Sequence, residues 1–315
     1  MSQKISVAIC TYNRYELLSK AIESVLNQDV DFSVYKVFVV DNSPDYDRAL
    51  AEQARYAGTD GLEYMIERTP GLSNARNVAA RACGTPYIAF LDDDAIASRR
   101  WVGEILRAFE AFPDKAGVVG GKINPIWGRP RPSWLPDELL GGLTVVDWGG
   151  ALRIAGPQEW VAGANISFAV EPLLEVGGFP TSLGRIGDSG VLLSNEEIYV
   201  LEALRSTGKV VVYAPEAEVD HLVDERRVSQ AWIRKRMAWQ AVSDLIAEKN
   251  DMSKLAEESW KGVTERLNSL EPRLHTPRAF FEDVQDPAEF HQQILSIYNM
   301  TRALLAGLHL DRPAK

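Results

Sequence analysis

Apolar positions run almost without interruption from Ile5 to Ile9, in a stretch too short for a core helix and rich in β-branched residues, and predict a buried strand. Leu17, Leu18, Ala21, Ile22, Val25 and Leu26 then recur at helical spacing. Asn13, with Glu16 three residues on, has the form of a capping box at the start of that helix. Tyr35 to Val40 is again a β-branched run, ending at Asp41. Strand, helix and strand inside about forty residues make a β-α-β unit, and a parallel sheet is the expected result.

The alternation continues with a helix over Arg48 to Tyr56, a strand over Leu62 to Ile66, a helix over Ser73 to Ala82 closed by Gly84, and a strand over Tyr87 to Leu91. A helix over Arg100 to Phe112 and a strand near Val118 follow. Pro125 to Gly156 is rich in Pro, Gly and Trp without a period and reads as a long loop region. Beyond it the pattern gives an ordered run over Trp160 to Phe168, a helix from about Asn195 to Ser206 ended by Gly208, and two strand-like runs, Lys209 to Tyr213 and Ala217 to His221. From Ser229 onward it is helical, with no internal repeat. The expected organisation is one α/β domain in two halves, residues 1–120 and 121–228, followed by a C-terminal helical region over 229–315.

Composition narrows the field. With 315 residues and 46% apolar content the chain has material for a large core, and its net charge of −10 argues against nucleic acid as a partner, since phosphate backbones are gripped by basic faces. Its two cysteines, Cys10 and Cys83, have no metal-ligand spacing and suit a reducing cytoplasm. No stretch approaches the roughly 20 apolar residues of a membrane span, so contact with a membrane is expected to be peripheral at most, at its inner face.

Candidate chemistry gathers where strands end, the side on which open parallel sheets bind ligands. Asp92, Asp93 and Asp94 follow an apolar strand directly, and three adjacent like charges repel unless a cation or strong donors gather there. In extended backbone Asp92 and Asp94 point one way and Asp93 the other, so Asp92 and Asp94 are candidate ligands for Mg²⁺ or Mn²⁺ and Asp93 a donor-side residue. A solvated acidic turn is the alternative. Thr11, Tyr12, Asn13 and Arg14 close the first strand and open a helix, where amides and hydroxyls can meet a nucleotide; capping is the alternative, favoured for Asn13. Asp41 is placed to accept a hydrogen bond from a pyrimidine or a ribose, or else to start a turn through Asn42, Ser43 and Pro44.

Four segments in order, Ala8-Ile9-Cys10-Thr11-Tyr12-Asn13-Arg14, Val39-Val40-Asp41-Asn42-Ser43, Gly71-Leu72-Ser73-Asn74-Ala75-Arg76-Asn77 and Phe90-Leu91-Asp92-Asp93-Asp94, resemble the successive motifs of family 2 glycosyltransferases. Each is weak alone; together, each at its expected strand end or helix start, they are specific. The resemblance implies a GT-A fold, a mostly parallel nucleotide-binding sheet with flanking helices, in which residues 1–120 are the nucleotide-sugar-binding half and 121–228 the acceptor-binding half, and adds Asn74 and Arg76 to the donor side. Trp160-Val161-Ala162-Gly163-Ala164-Asn165 resembles the segment lining the acceptor side, which marks Gly163, Ala164 and Asn165. Asn195-Glu196-Glu197 resembles the acidic base motif, with Glu where many members have Asp, so either Glu196 or Glu197 is the base and Glu197 is preferred. Leu183-Gly184-Arg185, within Phe179 to Glu197, resembles a subgroup of bacterial polysaccharide assembly and brings Arg185 to the acceptor side.

His221, at the end of a strand, joins the metal set by the same resemblance; an isolated histidine there is otherwise an ordinary hydrogen-bonded residue. Arg227 is the best diphosphate-gripping candidate in a downstream basic cluster that includes Arg226, Arg234, Lys235 and Arg236. The tryptophans of the loop region, Trp127, Trp134 and Trp148, are candidates for stacking on a sugar. The expected activity is inverting, non-processive, Mn²⁺- or Mg²⁺-dependent transfer of a sugar from a nucleoside diphosphate, UDP or dTDP ahead of GDP, to a saccharide or lipid-linked acceptor. A sugar nucleotidyltransferase and a non-catalytic sugar-nucleotide-binding subunit are the competing readings, and the helical tail is open to three uses: packing on the catalytic domain, pairing with a second copy or touching a membrane surface.

Overall fold

The computed structural model describes residues 3–185, 187, 190–247 and 251–310. The chain divides into two compact units: Met1–Ile126 with Thr144–Gly190 and Glu196–Leu222, and Trp127–Leu143 with Val191–Asn195 and Val223–Lys315.

The first unit is built on a mixed sheet. Strands β1 (Ile5–Thr11), β2 (Tyr35–Asp41), β3 (Leu62–Ile66), β4 (Tyr87–Asp92), β5 (Ala95–Ala97), β6 (Ala116–Trp127), β7 (Arg153–Ile154), β8 (Asn165–Ala169) and β9 (Val210–Val223) take the order β3-β2-β1-β4-β8-β6-β9-β5, with β7 against β9. Strands β3, β2, β1 and β4 are parallel, as β-α-β connections require, and β8 joins β4 antiparallel. The parallel strands carry apolar side chains on both faces because helices cover both. Ile5, Val7 and Ile9 face a layer made by α1 (Tyr15–Leu26) and α4 (Trp101–Ala111), into which Leu18, Ile22, Trp101, Ile105 and Phe109 insert. Ala8, Phe38 and Val40 face Ala75 and Ala79 of α3 (Leu72–Ala82) and Val200 and Leu204 of α6 (Glu196–Ser206).

Several expectations are revised. Asn13 does not cap α1: it takes a positive φ of 57° and its N–H donates to Ser43 Oγ at 2.8 Å, while the cap residue is Arg14, whose side chain makes no capping bond to the helix. An Asn tolerates that left-handed turn at little cost, so the turn prevails over the capping box. The two strand-like runs near 209–221 are one strand, β9; Pro215 and Glu216 do not break it. The region 125–156 is also less irregular than its composition suggests, holding the end of β6, a short 3-10 helix at Asp137–Leu143 and β7.

The second unit is mainly helical. Helix α2 (Tyr46–Arg55) and the short α5 (Val170–Glu175) belong to the first unit, and the C-terminal stretch adds α7 (Gln230–Ala247), α8 (Met252–Ser269), α9 (Arg278–Phe281) and α10 (Pro287–Leu310). Leu135, Leu139, Ile233, Phe290 and Ile294 form its core. Buried Arg234, from the downstream basic cluster, is consumed internally by Gln230, Gln293, Asp283 and the Glu282 carbonyl. Among the described residues no helix is long and apolar enough to cross a membrane.

Candidate active site

Register explains why the motifs meet. Parallel pairing sets Thr11 opposite Asp41 and Cys10 opposite Asp92, so three strands terminate at one edge of the sheet. On the far side β5 pairs antiparallel with β9, with Ala95 opposite His221, and Leu222 N–H donates to the Asp94 carbonyl at 2.9 Å. That pairing brings His221 to Asp94 across 127 residues of sequence, counted from their numbers. One ligand atom each from Asp92, Asp94 and His221 lie within 4.8 Å of one another.

Asp93 turns the other way. Its Oδ2 accepts from Thr11 Oγ1 at 2.7 Å and its Oδ1 from Arg14 at 2.8 Å; the other Arg14 nitrogen donates to Asp94 Oδ2 at 2.7 Å. Burial, with Asp94 and Asp92 close by, pushes the Asp93 carboxyl up to about 7 against the pull of Arg14 and Thr11. Asp92, Asp93, Asp94, Glu196 and Glu197 set five carboxylates against the guanidiniums of Arg14 and Arg76, an excess that a divalent cation would offset. The residues fit such an ion: two carboxylates and an imidazole in one cluster, with His221 Nδ1 buried and unbonded among the described residues.

The second acidic group starts α6. Glu196 is 4% exposed and its Oε1 accepts from Arg76 at 3.0 Å; the other Arg76 nitrogen reaches Asp92 Oδ1 at 3.4 Å. Half-buried Glu197 accepts from the Gly163 N–H at 3.2 Å. Glu196 Oε2 and Glu197 Oε2 are both buried without a hydrogen-bond partner. Burial and the Glu197 carboxylate push Glu196 up to about 8, opposed by Arg76.

Other candidate residues have different uses in the structure. Asp41 is fully buried, with Oδ1 on Ser43 N–H at 2.9 Å and Oδ2 on the Tyr64 hydroxyl at 2.8 Å, so it holds the turn after β2 and shows no surface to a nucleobase. Arg76 is 2% exposed and engaged by two carboxylates, which leaves no face for a diphosphate. Asn165 is equally closed: its amide oxygen accepts from Trp101 Nε1, and its nitrogen donates to the Lys122 and Ala217 carbonyls, so it ties α4, β6 and β9 together instead of meeting an acceptor. Ala164 is buried in a neighbouring apolar cluster. Asn74 donates to the Thr69 carbonyl at 3.0 Å, and half-buried Tyr12 lies against Gly187. Arg185 is exposed, with its carbonyl accepting from Leu72 N–H; part of the surrounding segment, residues 186, 188 and 189, lies outside the described residues. Arg227 belongs to the second unit, over the Trp232 ring at 5.1 Å. Trp134 packs edge-on to Phe290 and Trp148 edge-on to Trp160, so both are built into packing.

Residues that sequence reasoning missed support the site from behind. Asn42 donates to the Glu67 and Thr69 carbonyls and accepts from Gly71 N–H at 2.7 Å, stapling the turn after β2 to the start of α3. Gly71 sits at φ 130°, a conformation open to glycine and few others. A side chain bonding three loop backbone groups leaves no periodic trace in sequence; only the Asn-Ser-Pro cluster hinted at it.

The sheet thus gathers strand-end carboxylates beside a second acidic pair at the start of α6. The profile described as Glycosyl transferase family 2 matches residues 6–145. The chain is 30% identical to the glucosyl-dolichyl phosphate glucuronosyltransferase of Haloferax volcanii, over 96% of this chain and 95% of that one. It is 28% identical to the succinoglycan biosynthesis protein ExoM of Rhizobium meliloti, over 78% and 76% of the two chains. The chain belongs to glycosyltransferase family 2 and is a glycosyltransferase that uses a nucleotide sugar. Among solved structures, the fold matches a Pyrobaculum calidifontis mannosyltransferase in complex with GDP-Man and Mn²⁺ (TM-score 0.55, 18% identity, 100% of this chain and 77% of that one). It also matches residues 1–349 of S. aureus TarS in complex with UDP-GlcNAc (TM-score 0.55, 15% identity, 99% and 93%).

Proposed function

We propose that the protein is an inverting, non-processive, divalent-metal-dependent glycosyltransferase that moves a sugar from a nucleoside diphosphate donor onto a saccharide or lipid-linked acceptor, with Glu197 as the base. The observation that carries this reading is that one buried guanidinium, Arg76, touches both acidic groups, at 3.4 Å from Asp92 and 3.0 Å from Glu196. Arg76 therefore lies between one ligand of the proposed cation seat and the immediate neighbour of the proposed base.

Asp92, Asp94 and His221 would hold the ion. When bound, Mn²⁺ or Mg²⁺ supplies charge stabilisation to the departing diphosphate. Arg14, 41% exposed at its side chain and already fixed by Asp93 and Asp94, is the residue best placed to meet phosphate oxygens. Glu197, held on the Gly163 N–H through one oxygen, takes the acceptor proton on the other as the hydroxyl oxygen bonds to the anomeric carbon and the sugar–phosphate bond breaks. A single in-line displacement inverts that carbon. The Haloferax relative's name, with a glucosyl-dolichyl phosphate acceptor, favours a lipid-linked acceptor, reached from the cytoplasmic face of a membrane, over a free saccharide.

The test is calorimetric titration of UDP, dTDP and GDP, each with Mn²⁺ and with EDTA. Metal-dependent binding of one diphosphate is expected, UDP or dTDP before GDP. Binding that EDTA leaves unchanged would remove the cation from the reading.

A further inference from the structure

Arg76 is the most completely enclosed cation in the first unit, and its environment differs from that of a substrate-gripping arginine. It leaves α3 and ends at two acids from separate elements, Asp92 at the end of β4 and Glu196 at the start of α6. Its guanidinium lies 5.4 Å from the Phe179 ring centroid and 5.9 Å from that of Phe90. Gly163 closes another side: a Cβ there would stand 2.2 Å from the nearer Arg76 nitrogen. Gly163 is also the residue whose N–H holds Glu197. One side chain thus abuts a cation ligand, the neighbour of the base and the peptide that orients the base.

We propose that Arg76 is a positioning residue that sets the spacing between the cation seat and the Glu196–Glu197 pair and never touches the donor. The proposal rests on the assignment of those two acidic groups given above. An arginine is suited to the task because its planar fork can bond two carboxylates at once, whereas a lysine offers one point charge. Asp92 is the partly exposed end of the chain of contacts, with its side chain 32% exposed, so a ligand bound there meets Arg76 only through Asp92.

The test uses the full chain carrying Arg76→Lys, with the nucleoside diphosphate that binds wild type plus Mn²⁺ as the probe, and acceptor-free hydrolysis of the matching nucleotide sugar as the readout of chemistry. Nucleotide affinity is expected to stay within about threefold while the hydrolysis rate at saturation falls about 100-fold, the size expected when reacting groups are displaced by about an ångström. Affinity lowered tenfold or more with the saturated rate intact would make Arg76 a donor contact and overturn the proposal. Because a buried charge is altered, Arg76→Leu and Arg76→Leu/Glu196→Gln are compared as well. The double variant, with no buried carboxylate left facing Leu, should recover thermal stability while hydrolysis stays low; hydrolysis restored along with stability would show a purely structural role. Loss of metal dependence in the wild-type titration would count against the cation assignment, whereas the outcomes for Arg76→Lys and Arg76→Leu bear on Arg76 alone, and Glu196→Gln by itself serves as the reference for the double variant.

Discussion

The two acidic groups of the first unit are solved differently. Asp93 and Asp94 stand at a strand end among fixed donors: Thr11, both ends of the Arg14 guanidinium, and His221 at 3.3 Å from Asp94. Glu196 and Glu197 stand at a helix start with the Arg76 guanidinium on Glu196 and the Gly163 N–H on Glu197, and each keeps a buried oxygen without a hydrogen-bond partner among the described residues. Oxygens already oriented by donors, with negative charge to spare, make a seat for a cation. Burial beside other carboxylates raises both Glu196 and Asp93, so the donors around a carboxyl do not by themselves decide which holds a proton. The two clusters thus differ in what holds them, side chains at the strand ends against one guanidinium and one peptide N–H at the helix start.

The sharpest break of this comparison is at Glu197. Glu197→Gln keeps the shape and the Gly163 bond but cannot take a proton, so transfer should fall about 10³-fold while nucleotide affinity in the calorimeter stays unchanged. If transfer survives, the base is Glu196 or a group outside both clusters. The corresponding cut at the other cluster is Asp94→Asn, expected to weaken Mn²⁺-dependent nucleotide binding about 100-fold and to leave metal-free binding alone. A change confined to turnover would place the cation elsewhere.

How far these clusters could be seen in advance differs in the same way. Asp92 to Asp94 were legible because a parallel sheet aligns strand ends: an apolar run followed by carboxylates specifies its own location. Asn13, Asp41 and Arg76 sat in equally recognisable motifs, yet the Asn13 backbone is used for a turn, the Asp41 side chain for a tyrosine bond and the Arg76 side chain for a buried bridge. Sequence reports where a residue lies along an element and is silent on which neighbour arrives from a distant one. Tyr64 reaches Asp41 from the next strand, and Glu196 reaches Arg76 from 120 residues away. The fold was more readily legible, since periodicity and punctuation are local, and its clearest departure, the continuous β9, comes where a proline and a glutamate suggested a break that strand pairing overrides.

pH sharpens the contrast further. Glu196 titrates near 4.5 when unfolded and about 8 when folded, so the folded state binds its proton more tightly. Its contribution to stability is complete below the unfolded value and is lost as pH rises through the folded one. Asp93, raised to about 7, acts with the same sign. The melting temperature of the metal-free protein should therefore decline from about pH 4 to about pH 8, and decline less in Glu196→Gln, which retains only the Asp93 part. Parallel curves for the two proteins would show that Glu196 is ionised throughout.

The smallest expected effect comes from a single methyl group. Gly163 has no positive φ, so Gly163→Ala is a question of space alone, and its Cβ would meet the Arg76 guanidinium at 2.2 and 2.9 Å. A free arginine end would swing aside at little cost; this one is held by Asp92, Glu196 and two rings. Accommodation must lengthen the weaker bond, to Asp92, or push the 163 backbone away from Glu197. A loss of about 1–3 kcal/mol is expected in urea unfolding, typical of overpacking. Gly142→Ala is the control, with nothing within 4 Å of its added Cβ, and should change stability by no more than about 0.5 kcal/mol. Should Gly163→Ala prove as silent as the control, the guanidinium moves freely, and the rigid spacing that distinguishes the two acidic groups would have to come from the backbone alone.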